Sequence, residues 1–160
     1  TAERYFEQDS FKLALNGDGN NPGFLKLIEK YGPTKVANLS QYYAGISYRE
    51  LGQYEEAIKH LKKFDASDKI IRPIALGAIG DCYVELEKYE DGASFYKKAA
   101  SYDDNNFTAP IYLLKAGVVY EKLGKYSDAV KVYETIKKDY PQSTEARDIE
   151  KYIERAKQLM

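Results

Sequence analysis

The sequence predicts an all-α protein built from stacked helix pairs, and three observations carry that expectation. The stretches 45–64 (GISYRELGQYEEAIKHLKKF), 80–99 (GDCYVELEKYEDGASFYKKA) and 117–136 (GVVYEKLGKYSDAVKVYETI) are versions of one another. Their first places, Gly45, Gly80 and Gly117, lie 35 and 37 residues apart. Within each, apolar residues recur at three- and four-residue steps on both sides of a central break, the spacing of two amphipathic helices joined by a turn.

Taken in order, residues 1–35 read as a degenerate copy, with Phe11 and Ala14 in the places that Tyr and a small residue hold later. Its second helix is interrupted by NGDGNNPG and restarts at Gly23–Phe24. The first full copy, 36–70, places Tyr43, Ala44, Tyr48 and Leu51 on one helix face, then resumes after Gly52–Gln53 with Tyr54, Ala57, Ile58 and Leu61. The second spans 71–106 and the third 107–141, ending at Pro141. Gly52 and Gly124 suit the left-handed residue that ends a helix, whereas Glu87 stands in that place in the middle copy, so its turn must manage without glycine. Glycine at the first place, and Ala57, Gly92 or Ala129 at the thirteenth, let paired helices approach closely, with the tyrosines filling the flanks. Ser143 is the expected N-cap of a last helix over 143–160, with Glu145, Ile149, Tyr152, Ile153 and Ala156 in register, which caps the final repeat.

Composition narrows the function. Charged residues make up 31% of the 160 but nearly cancel, to −1, so no global field draws nucleic acid or an anionic membrane. The single Cys82 makes no internal disulfide, and no apolar run reaches the ~20 residues of a membrane span. TAERYFEQ has neither a cationic nor an apolar leader segment, and its first residue is Thr, which suggests a fragment from which an anchor or signal was removed.

Catalytic groups are sparse. His60, in KHLKK, is expected on a solvated helix surface, and Cys82 as a small buried hydrophobe; no nucleophile, base and orienter assemble around them. Asn16, Asp18 and Asn20 have the opening spacing of a calcium loop, but Asn21 and Leu27 occupy the places that need Gly and Glu, so neither a metal nor another cofactor is expected. Lysine pairs at Lys62–Lys63, Lys97–Lys98 and Lys137–Lys138 follow acids such as Glu55, Glu90 and Asp128 at the starts of the same helices. That order favours the helix dipole rather than a phosphate partner.

The shared Gly, Tyr, Leu, Tyr and acid of the three copies, with Tyr96 and Tyr133 at the second-helix aromatic place and Pro141 at the end, resemble the tetratricopeptide repeat (TPR). Gln41, where the family has a large apolar residue, is a departure, as are Glu87 and Gly92. The resemblance implies a right-handed α-α superhelix, a TPR solenoid, whose first helices line a concave peptide-binding groove. Its positions carry over to Leu39, Tyr42, Ile46 and Arg49, then Ile74, Gly77, Asp81 and Val84, then Ile111, Leu114, Val118 and Glu121. The Lys and Asn with which some members clamp a terminal carboxylate are absent there. The groove therefore suits an apolar or amphipathic segment of a protein partner.

The two ends, YFEQDSFKLALNGDG with GFLKLIEKYGPTKVANL, and DIEKYIERA, are similar to bacterial envelope TPR proteins of the Sec-translocon-associated type, which carry one N-terminal membrane helix. This resemblance implies a periplasmic domain tethered to the inner membrane by a helix outside the present chain. The functional expectation is a noncatalytic interaction scaffold. The alternative is a self-associating module whose groove forms a homo-oligomer interface.

Overall fold

The computed structural model describes all 160 residues. It contains ten α-helices and one short 3-10 turn, no β-strand, and no helix long and apolar enough to cross a membrane. Two compact units divide the chain, Thr1–Ala66 and Ser67–Met160.

The first unit holds α1 (Ala2–Glu7), α2 (Phe11–Asn16), α3 (Phe24–Tyr31), α4 (Lys35–Glu50) and α5 (Tyr54–Lys63). Ala2, Ala14, Leu15, Phe24 and Ala44 form its core. Tyr43 stacks on Phe24 with centroids 5.0 Å apart and meets Phe6 edge-on. The interruption between α2 and α3 is a closed loop. Asp18 Oδ1 accepts the backbone N–H groups of Asn20 and Asn21, while Oδ2 accepts the Tyr5 hydroxyl at 2.6 Å. Led by the Tyr5 bond, these contacts hold the carboxyl far below the usual carboxylate range. Asp18 therefore organises the turn.

The second unit holds α6 (Ile71–Glu85), α7 (Tyr89–Tyr102), α8 (Ala109–Lys122), α9 (Tyr126–Asp139), a 3-10 turn (Glu145–Asp148) and α10 (Ile149–Gln158). One core joins Ala93, Tyr96, Ala99 and Ala100 of α7 to Tyr112, Ala116 and Val119 of α8. A second joins Ala129, Val130, Tyr133 and Ile136 of α9 to Ile149, Ile153 and Ala156 of α10. The opposite face of α10 is exposed and charged, so the helix closes the end of its unit as the sequence predicts. It starts later than expected: Ser143 Oγ accepts the Ala146 N–H at 3.2 Å and so caps the 3-10 turn, and α10 follows from Ile149.

Four turns share one pattern of backbone bonds. Gly52 N–H donates to Arg49 O and Gln53 N–H to Tyr48 O; the same two bonds recur at Glu87 and Lys88, Gly124 and Lys125, and Asp9 and Ser10. This is the Schellman closure, which satisfies the last carbonyls of a helix. It requires a left-handed residue, supplied at φ +72° by Gly52 and +70° by Gly124. The middle turn manages without glycine by placing Glu87 itself at φ +58°, and the first does so with Asp9 at +55°. Recurrence around Asp9 aligns Tyr5 with Tyr48, and Phe11 with Tyr54, so α1 and α2 repeat the later pairs.

Each full repeat begins on a polar side chain. Thr34 Oγ1 accepts the Ala37 N–H; Asp68 Oδ1 accepts those of Ile70 and Ile71; Asn105 Oδ1 accepts those of Phe107 and Thr108. These side chains satisfy donors that the first helical turn leaves open.

The glycine ladder has a more specific cause than mutual smallness. A methyl on Gly45 would lie 2.5 Å from Leu61 Cγ, one on Gly80 2.7 Å from the Tyr96 ring, and one on Gly117 2.1 Å from Tyr133 Cε1. The first-place glycine makes room for the large residue sixteen positions later. Gly80 and Gly92 also face each other: a methyl on either would sit 3.3 Å from the other's carbonyl oxygen.

Candidate protein-interaction face

The expected groove residues of the second unit lie on α6 and α8. Ile74, Ile111 and Leu114 are half-buried, Val118 is 46% exposed, and Asp81, Val84 and Glu121 are half-buried. Gly77 does not line a surface. It is buried because the Tyr112 ring of α8 covers it, and a methyl there would lie 2.0 Å from Tyr112 Cε1. Val84 leans against α7, its Cγ2 2.7 Å from where a Gly92 methyl would be.

In the first unit the expected residues share less. Leu39 is exposed and, with Val36, Phe24, Leu27, Tyr43 and Ala2, lines an apolar cleft of about 240 Å³. Tyr42 packs on Phe64 at 5.2 Å, Ile46 is only 8% exposed, and Arg49 pairs with neighbouring Glu50 at 2.6 Å.

The acids on the α6/α8 face are committed to the fold. Asp81 Oδ1 accepts the Tyr96 hydroxyl and the Lys115 ammonium, each at 2.7 Å. Glu121 repeats the arrangement on the next pair: Oε1 accepts the Tyr133 hydroxyl at 2.6 Å and Arg155 Nη2 at 2.8 Å, and Oε2 accepts Arg155 Nε at 2.9 Å. Burial pushes the Glu121 carboxyl up, but the bonds from Arg155 and Tyr133 outweigh it and hold the group below its ordinary value. Tyr96 and Tyr133 are pushed far up, first by burial and then by their acids, so both stay neutral phenols that donate. Each triad fastens three helices: α6, α7 and α8 around Asp81, and α8, α9 and α10 around Glu121. The face is thus an apolar row whose acidic edges are already neutralised.

The spacing that gives the triads away is in the sequence, since Lys115 and Arg155 each stand 34 residues after their acids and Tyr96 and Tyr133 hold equivalent places. Periodicity alone did not single out the two cations.

His60 departs from the expected solvated surface. It is 9% exposed, stacked on Tyr48 at 5.3 Å, with Nδ1–H donating to Gln41 Oε1 at 2.7 Å. The next repeat has Leu76 and Phe95 in these two places. The departure at Gln41 is therefore half of a polar pair, and its partner is His60. Burial lowers the His60 pKa, opposed by Glu56 and reinforced by Lys63 and Lys59. Cys82 is fully buried, as expected.

Profiles described as tetratricopeptide repeat match residues 39–67, 74–106 and 112–143, together more than half of the chain. The chain belongs to the tetratricopeptide-repeat family. Repeats of this family serve as protein–protein interaction scaffolds, and that is the general role of this TPR chain. Among solved structures, the nearly identical TPR-like repeats of a kinesin light chain from Podosopora anserina align over 99% of this chain and 82% of theirs, with TM-score 0.71 and 13% identity. MamA aligns over 99% and 93%, with TM-score 0.68 and 19% identity. At such identities the likeness shows the fold, a TPR-type helical solenoid. No curated protein is significantly similar in sequence.

Proposed function

We propose that the α6/α8 face of this TPR chain binds an apolar or amphipathic segment of another protein. The observation that carries the reading is the pairing of a partly exposed row, Ile74, Ile111, Leu114 and Val118, with acids neutralised internally by Lys115 and Arg155. A charged terminus would meet no free counter-charge at Asp81 or Glu121, whereas an aliphatic side chain would bury area at roughly 25 cal/mol per Å². Helix-in-groove recognition fits such a row.

A photo-crosslinking residue at position 118, introduced into the full-length protein in its cells, tests the reading. Attachment to an apolar or amphipathic segment of a different protein, abolished by Ile111→Asp or Leu114→Asp with helical circular dichroism retained, supports it. Crosslinking of one copy to another, with a dimer mass by light scattering that Val118→Asp reduces to a monomer, transfers the face to self-association. Ile46→Asp is a poor surface probe because Ile46 is in the core.

The envelope location implied by the ends of the sequence belongs to the same proposal, with the domain held on the periplasmic side of the inner membrane. Protease digestion of intact spheroplasts checks it: protection of the domain from added protease refutes that placement.

A further inference from the structure

The second unit has another concave feature that shares no residue with the α6/α8 row. Glu90, Ser94, Lys97 and Lys98 of α7, Tyr120 of α8 and Lys125 of the turn before α9 line a cleft of about 450 Å³. Three lysines from two separate segments line it beside one acid, Glu90. α7 runs on to Tyr102, so Lys97 and Lys98 stand before its last turn, and the helix dipole accounts neither for them nor for a third lysine arriving from the next helix pair. Lys137 of the last pair is bound to Glu150, whereas Lys97 has no carboxylate within ion-pair distance. Lys98 rests over the Phe95 ring at 4.5 Å, which leaves its N–H donors open. Lys125 lies 3.6 Å from Glu90, a long and exposed pair that restrains it little. Ser94 and Tyr120, which carry hydroxyl groups, line the same space.

Ammonium and hydroxyl groups are all donors to a multiply charged oxyanion. A phosphate monoester carries about −1.5 to −2 charge and three acceptor oxygens. The cleft, with Glu90 included, carries a net +2. We propose that this cleft binds a phosphate monoester, a second recognition site on the scaffold independent of the apolar row.

The test follows backbone amide shifts of the isotopically labelled chain during titration at constant ionic strength. One arm uses inorganic phosphate, a second a short phosphoserine peptide, and a third the same peptide unphosphorylated. Saturable shifts at Ser94, Lys97 and Tyr120 in the first two arms, and none in the third, are expected. Tighter binding of the phosphopeptide assigns the source to a modified protein, and equal binding assigns it to free phosphate; both support the site. Removing an ammonium near a unit charge changes affinity by about five-fold, so Lys97→Gln with Lys125→Gln weakens binding about 25-fold and Glu90→Gln strengthens it about five-fold. All three positions are on the surface or in a turn, and the variants keep the thermal transition of the parent. Shifts that follow sodium chloride equally, or that survive the double lysine replacement, overturn the proposal.

Discussion

Gly117→Ala places a methyl group where the Tyr133 ring already is. The new carbon would lie 2.1 Å from Cε1 and 2.6 Å from Cζ. Tyr133 is fully buried and its hydroxyl is held by Glu121, so the ring cannot swing aside without losing that bond. Overpacking of this kind costs about 1–3 kcal/mol. Weakening a hydrogen bond to a charged group adds up to about 1.5–3 kcal/mol. Against this, alanine is favoured over glycine inside a helix by about 1 kcal/mol. The net is a destabilisation of about 2 kcal/mol, or a fall of about 4–8 °C in Tm for a chain of this size. Urea and thermal unfolding followed by circular dichroism measure it. In a Tyr133→Ala background the same methyl enters vacated space, so Gly117→Ala should be neutral or stabilising by up to ~1 kcal/mol. An unchanged Tm for Gly117→Ala, or an equal loss in both backgrounds, would refute the ring as the reason for the glycine.

Gln41→Leu strands the His60 N–H and should cost about 1–3 kcal/mol in urea unfolding, while Gln41→Leu with His60→Phe, the combination of the next repeat, recovers most of it. Because burial holds His60 below its ordinary 6.5, the unfolded chain takes up this proton first. The stability that His60 contributes is complete above that value and declines as pH falls below it; stability measured between pH 7 and about 5.5 should lose this slope in the double variant. Glu87→Gly relieves a left-handed non-glycine residue and should stabilise by about 0.5–1 kcal/mol, read from the urea midpoint. Arg155→Ala should lower stability by about 1 kcal/mol at neutral pH. Glu121 is held below its ordinary value of 4.5, so the stability gained from its ionised form is present above that value and lost as pH falls; thermal unfolding near pH 3 should show the Arg155→Ala deficit closing.

Local features of the fold were legible at the level of single residues. Gly52 and Gly124 are the left-handed helix ends that the sequence predicts, and the interruption expected over 16–23 falls between α2 and α3, with Asn16 still in α2. Of the expected register of the last helix, Ile149, Ile153 and Ala156 are buried, whereas Glu145 lies in the preceding 3-10 turn. Features that depend on what a neighbouring helix covers are not legible in the periodicity of one helix. In α6, Gly77 belongs to the stripe predicted to face outward, yet Tyr112 of α8 covers it. His60 lies among lysines, which predicts a solvated position, but Tyr48 and Gln41 of α4 enclose it.

Sequence alone settles the helix pairs and their turns, because helix periodicity and Schellman closure depend on residues within about one turn of one another. It marks the glycine ladder, but the large side chain on the partner helix that requires it is a tertiary contact. What only the tertiary structure decided is which polar groups meet: Asp81 with Tyr96 and Lys115, Glu121 with Tyr133 and Arg155, and three lysines around one cleft. Periodicity marks the face a helix turns to one neighbour. A helix in a stacked array has two, such as α8 between α7 and α9, and the side chains on its flanks find partners only once both are in place.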